Sequence, residues 1–165
     1  MIKSTKLFAS KKGFTLLEIL LVVGIIAILA GIVILAINPS KQLADTRNAQ
    51  RRSDVITILN AVYQYSIDRN GSIPATIVTT FASSSECGLS SGKEIDNGTG
   101  GTGVNLSSSL VGATSTYLVG IPHDPMATST DSDRGSGYAI GKIFGSRIMV
   151  CAPLAENGVV ISVTR

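Results

Sequence analysis

A chain of 165 residues with 14 Lys and Arg against 11 Asp and Glu carries a formal charge of +3, and its length suits one domain plus a tail rather than several domains. Four of the cations, Lys3, Lys6, Lys11 and Lys12, fall in the first thirteen residues, which hold no acid; beyond them ten basic residues face eleven acidic ones, a net of −1. Past this leader the global charge therefore excludes an electrostatic argument for nucleic acid binding.

Residues 1–13 read as a polar, basic leader with no fold of its own. From Phe14 to Ile37, twenty-four residues run almost wholly apolar, interrupted by one ionisable side chain, Glu18. At 1.5 Å per residue a helix of this length reaches about 36 Å, enough to cross the roughly 30 Å hydrocarbon layer of a bilayer with some tilt. The remaining chain is too small and too polar to bury a helix that is apolar on every side. Flanking lysines keep the N-terminus cytoplasmic, so everything after Ile37 is expected to be exported. Small residues Gly24, Ala27 and Gly31 include one pair four apart, a spacing that lets helices approach closely and that is also common in membrane helices generally.

A carboxylate inside such a span costs on the order of 2.5 to 3.5 kcal/mol at mid-helix and less near an end, so Glu18 asks for a cationic partner. The span holds no Lys, Arg or His. A cut after Gly13 would create one, the new α-amino group of Phe14.

The run K-K-G-F-T-L-L-E-I-L-L-V-V-G-I-I-A-I-L-A, from Lys11 to Ala30, resembles the class III leader and N-terminal helix of the type IV pilin superfamily, which includes type IV pilins, pseudopilins and competence pilins. The resemblance extends from Lys11 to about Gly71 and loosens afterwards. It implies that a prepilin peptidase cleaves between Gly13 and Phe14 and that the Phe14 amine is methylated. It also implies that Glu18 pairs with the Phe14 amine of a neighbouring subunit in a filament. An ordinary secretory signal has a shorter apolar core with a small-residue cut at its far end. A plain anchor fits the length but leaves the Gly13–Phe14 junction and Glu18 without a purpose.

At Asn38–Pro39 the proline removes a backbone donor and crowds the carbonyl of Leu35, so a helix continuing through this point must kink or open; the pattern resuming beyond it favours a kink. Residues 39–70 are expected to be an amphipathic continuation of the helix. Its second half carries an apolar stripe, Val55, Ile56, Leu59, Val62 and Tyr63. The first half, 41–54, is polar, with Arg47, Arg51 and Arg52 on one face. That face reads as solvated, with Arg51 and Asp54 three apart, or as a contact with acidic groups of a neighbouring subunit; three arginines without interleaved aromatics make DNA the less favoured partner. Asn70–Gly71 closes the helix.

Residues 72–116 are rich in Ser, Thr, Gly and Asn and read as a long surface loop with a short strand near 77–80. Sequons occur at Asn70, Asn97 and Asn105. Cys87 and Cys151, the two cysteines, lie in the exported part, where a disulfide between them persists; it closes a loop of about 65 residues, worth roughly 4 kcal/mol in the chain-entropy account. Two free thiols are the alternative. Two cysteines and one histidine do not complete a zinc site.

Tyr117 to Pro125 resembles the turn that enters the sheet in pseudopilin-like proteins, with prolines fixing the backbone around His123 and Asp124. Three strand-like runs follow, 138–144, 147–152 and 159–164, joined by a tight turn at Gly145–Ser146 and a longer one over 153–158. Val159, Ile161 and Val163 share a face expected to pack on Ile56, Leu59 and Tyr63. No nucleophile elbow or second base accompanies His123, so no catalytic residue is expected. Asp124, Asp131 and Asp133 are the candidate calcium ligands, since some major pseudopilins hold calcium in their sheet loops; the set lacks the third ligand of an EF-hand loop and its spacing to Asp124 is longer than in those relatives, so a solvated turn is the favoured reading and no cofactor is expected.

The expected fold is α+β: a long N-terminal helix, transmembrane then amphipathic, packed on a small C-terminal antiparallel sheet at about 137–164, with residues 71–165 as the globular head. The expected function is a structural subunit of a type IV pilus or pilus-like filament, not an enzyme. Its expected partners are copies of itself or other pilins, the prepilin peptidase, the membrane and the pilus assembly platform, with no small-molecule substrate. Rival readings are a pseudopilin of a type II secretion system, a DNA-uptake pilin, and a membrane-anchored binding domain.

Overall fold

The computed structural model describes residues 13–78, 80–83, 86–88, 93–96, 103–112, 115–127, 135–143, 145 and 147–165. The leader up to Lys12, the Asn97 sequon, Asp131, Asp133 and Ser146 lie outside the described residues. The chain divides after Ser40 into two units.

In the first unit, helix α1 (Leu16–Ile37) contains no buried residue. It ends where Asn38 takes left-handed angles, φ 45° and ψ 79°, a conformation Asn tolerates better than most residues. Helix α2 (Pro39–Asp68) begins on the proline itself, at the position where a missing N–H costs nothing and the fixed φ suits the first turn. The expected single helix with a kink is thus two helices. Ser40 Oγ donates to Asn38 Oδ1 at 2.7 Å across the junction.

In the second unit, α2 turns one face to a sheet. Its buried positions Ala44, Asn48, Arg51, Val55, Ile58 and Val62 follow alternating steps of four and three, the period that returns side chains to one side of a helix. Ile56 stands 47% exposed, so it is Ile58, with Val55, Leu59 and Val62, that enters the core. The sheet has strand order β2-β1-β5-β6-β7, formed by β1 (Glu94–Asp96), β2 (Val104–Asn105), β5 (Gly135–Ile143), β6 (Arg147–Cys151) and β7 (Ser162–Thr164). Between β2 and β5 lie the one-turn helix α3 (Ser107–Leu110) and a separate pair, β3 (Val111–Gly112) with β4 (Ser115–Thr116).

The pairings β5–β6 and β6–β7 are antiparallel, with Ile140 opposite Val150 and Val150 opposite Val163. At the other edge β1 and β2 run parallel, so the sheet is mixed rather than antiparallel. Both of these strands, β2 at the edge and β1 beside it, come from the stretch expected to be surface loop, and Ile77, Phe81, Ile95, Val104, Leu106 and Leu110 of that stretch are buried. The short strand expected near 77–80 is a single bridge, Thr80 to Lys142.

Alternation along β5 and β6 gives the sheet two covered faces. Tyr138, Ile140, Ile148 and Val150 join α2 in the larger core, together with Ile161. Ala139, Ile143, Met149 and Cys151 face the opposite way and are covered by Phe81 and Cys87. A Cys87–Cys151 disulfide, spanning 64 residues of sequence, fastens that cover to β6.

Candidate functional site

The N-terminal site is built from a cap and an exposed rod. Thr15 has extended backbone angles, and its Oγ1 accepts the Glu18 N–H at 3.2 Å, while the Thr15 carbonyl accepts from Ile19 at 3.3 Å. Thr15 and Glu18 thereby hold the positions of a capping box, and the carboxylate lies in the first turn, where unpaired amides and the helix dipole favour negative charge. Glu18 makes no ion pair among the described residues. Phe14, at the candidate cleavage junction with Gly13, is 79% exposed.

Beyond Glu18 the rod is apolar on all sides, and α1 is long and apolar enough to cross a membrane. Nothing lies within 4 Å of a Cβ placed on Gly24 or Gly31. Such a surface needs lipid or other helices around it, because water would leave the whole of it unpaired with apolar groups.

The head carries a second polar constellation, where α2 meets two loops. Arg51 is wholly buried and donates from Nε and Nη2 to Asp124 Oδ2 and Oδ1 at 2.7 and 2.9 Å. Its Nη1 donates to Glu156 Oε2 at 2.9 Å and to Asn48 Oδ1 at 3.0 Å. Arg47 grips the same Glu156 through Nε and Nη2 at 2.7 and 2.6 Å. Asn48 exchanges side chain to backbone hydrogen bonds with Glu156 in both directions, each 3.0 Å. Asn157 adds a bond to Asp45 Oδ1 at 2.9 Å.

These contacts correct the reading of Arg47, Arg51 and Arg52 as one basic face: Arg52 is exposed, whereas Arg47 and Arg51 turn inward onto acids of their own chain. Asp54 does not pair with Arg51. It accepts from Gln50 at 2.8 Å and from the buried Tyr138 hydroxyl at 2.7 Å. Hydrogen bonds from Arg47 and Arg51 hold the Glu156 carboxyl well below its ordinary value, down to about 2. The Arg51 guanidinium is raised, chiefly by its bonds to Asp124, and burial with the Asp54 bond pushes the Tyr138 phenol up.

Sequence reasoning missed the Arg51–Asp124 pair because 73 residues separate its members. The signal was present in the helical period: extending the steps of four and three upstream from Val62 through Ile58 and Val55 lands on Arg51, Asn48 and Ala44.

Asp124 fits calcium poorly. Its Oδ1 already accepts from Arg51 and from the Met126 N–H at 2.8 Å, and its Oδ2 from Arg51. Among the described residues no group of three or more His, Cys, Asp or Glu side chains is placed to hold a metal ion. His123 stands exposed in the loop beside it.

Residues 8–34 match a family model described as the prokaryotic N-terminal methylation motif. The chain is 38% identical over 60 residues to the type II secretion system core protein G of Aeromonas hydrophila, covering 36% of this chain and 41% of that protein. It is 39% identical over 60 residues to the protein of the same name from Escherichia coli (strain K12), covering 36% and 40%. The chain therefore aligns with about two fifths of the length of these curated relatives. No solved structure matches significantly.

Proposed function

We propose that the chain, type IV pilin-like through its N-terminal segment, is a structural subunit of a pilus or pilus-like filament, acting by assembly rather than catalysis. One observation carries the reading: the methylation motif coincides with a helix that leaves every side chain exposed and sets a single carboxylate, Glu18, in its capped first turn. In this reading the prepilin peptidase cuts between Gly13 and Phe14 and the Phe14 amine is methylated. The membrane stores the subunit through α1, and extraction by the assembly platform exchanges lipid contacts for helix contacts among pilins. Glu18 sets the register by meeting the Phe14 amine of a neighbouring subunit, a charge pair strengthened by its apolar surroundings. The filament then lies outside the cell membrane.

The names of the two relatives favour a second reading within the same class, a pseudopilin of a type II secretion system. Loss of protein secretion without loss of surface filaments on deletion of the chain supports that reading over a surface pilus.

Mass spectrometry of membrane and sheared-filament fractions tests the proposal. The mature chain is expected to begin at a methylated Phe14. Glu18→Ala is expected to leave cleavage and membrane retention intact while lowering filament yield tenfold or more, since removing one partner of a charge pair in apolar surroundings exceeds about 1.4 kcal/mol. An intact leader, a cut beyond Ile37, or normal filament yield from Glu18→Ala would overturn it.

A further inference from the structure

Two loops of the head end in carboxylates that converge on one fixed cation. The loop at 121–127 is shaped by Asp124, whose Oδ1 accepts the Met126 N–H at 2.8 Å and whose own N–H bonds the Ser136 carbonyl at 2.8 Å. The loop between β6 and β7 presents Glu156. Both carboxylates reach Arg51, and the Arg51 and Asp124 side chains are completely shielded from solvent. A carboxylate buried in this way needs a cation or several donors close by. Arg51 supplies both, with a planar fork matched to a carboxylate.

Counted as a group, Arg47 and Arg51 neutralise Asp124 and Glu156 one for one. Among the described residues, the cluster around Asp124 therefore offers a divalent ion no net negative charge. Such an ion would also stand a few ångströms from a guanidinium that it repels and would have to displace hydrogen bonds of 2.7 and 2.9 Å. Calcium sites in loops have the opposite character: carboxylate and carbonyl oxygens in excess, with no resident cation.

We infer that Arg51 is a built-in cation that holds the Asp124 and Glu156 loops on α2 with no divalent ion between them, so that these two loops keep their places without calcium. This is independent of how the chain assembles, and it rests on the buried fork alone. The property belongs to the side chain at position 51, not to the acids. A helix carrying an uncharged residue there would leave Asp124 buried with no counterion.

Thermal unfolding of the full chain in detergent micelles, followed by circular dichroism in excess calcium and in excess chelator, tests this. The unaltered chain is expected to unfold at the same temperature in both. Arg51→Gln is expected to lower the midpoint by about 10 °C in both, the size of shift that goes with leaving a buried carboxylate unpaired. Arg51→Lys, which keeps the charge but loses the fork, is expected to fall between the two. A lower midpoint for the unaltered chain in chelator than in calcium would overturn the inference, and so would an unchanged midpoint for Arg51→Gln. If Arg51→Gln fails to fold, the comparison of calcium with chelator on the unaltered chain decides the matter.

Discussion

At the scale of single residues, the head tolerates little change where its backbone passes close to the Arg51 cluster. Gly137 in β5 has φ +79°, and a Cβ there would stand 2.6 Å from the Asp124 Cβ and 3.0 Å from the Ala127 Cβ. Gly145, in the β5–β6 turn, has nearly the same φ, +78°, with nothing within 4 Å. The two positions separate backbone strain from crowding. Gly145→Ala is expected to cost about 1 kcal/mol, the penalty of a left-handed alanine. Gly137→Ala adds a clash with the residue that Arg51 holds, and its cost is expected to exceed the first by about 2 kcal/mol. Denaturant unfolding of both variants checks the difference; equal losses would mean that the Asp124 loop yields freely, contrary to its bonding to Arg51.

At the scale of elements, the parts legible in the sequence are those encoded by local period. The apolar span with Glu18, and the strands at 135–143 and 147–151 with their glycine turn, could be read because each signal lies within a few residues. The edge strand β2 and its neighbour β1 could not. β1 and β2 hold five residues between them in a Ser- and Gly-rich stretch, and their pairing is set by neighbours distant in sequence, Glu94 opposite Ala139 for one. Composition therefore announced a loop, while burial of Ile95, Val104 and Leu106 made it part of the core. On α2 the expected stripe holds at Val55, Leu59 and Val62, but the buried face is turned away from Ile56 toward Ile58. Because neighbouring helix positions diverge by about 100°, that turn moves a side chain from core to surface. Ile58→Ala is accordingly expected to cost about 2–5 kcal/mol and Ile56→Ala less than about 1 kcal/mol. Chemical denaturation of the two variants measures it, and the reverse order would mean that α2 presents a different face to the sheet.

At the scale of the whole molecule, the chain is two units with different sources of stability. Residues 13–40 bury nothing within themselves and depend on surroundings; residues 41–165 have a core, a disulfide and the Arg47–Arg51–Asp124–Glu156 cluster. Acid should therefore distinguish them. The Glu156 carboxyl is held near 2 in the folded head against an ordinary value of 4.5, so folding favours its ionised form. A depressed folded value means that its contribution is complete above about pH 4.5 and fades as the pH falls toward 2. The arginines, with values raised further above an already high starting point, stay charged throughout that window. Glu156→Gln removes this contribution at every pH. The gap in unfolding midpoint between the unaltered chain and Glu156→Gln is expected to be widest at neutral pH and to narrow steadily between pH 4.5 and 2. High salt should reduce it only partly, because the Glu156 side chain is 26% exposed and its Arg51 partner not at all. A gap that stays constant down to pH 2 would show that Glu156 acts through packing and its backbone bonds to Asn48, with the two arginines contributing nothing to its charge. Helix α1 takes no part in this cluster, so Glu156→Gln is expected to leave its retention in membranes unchanged.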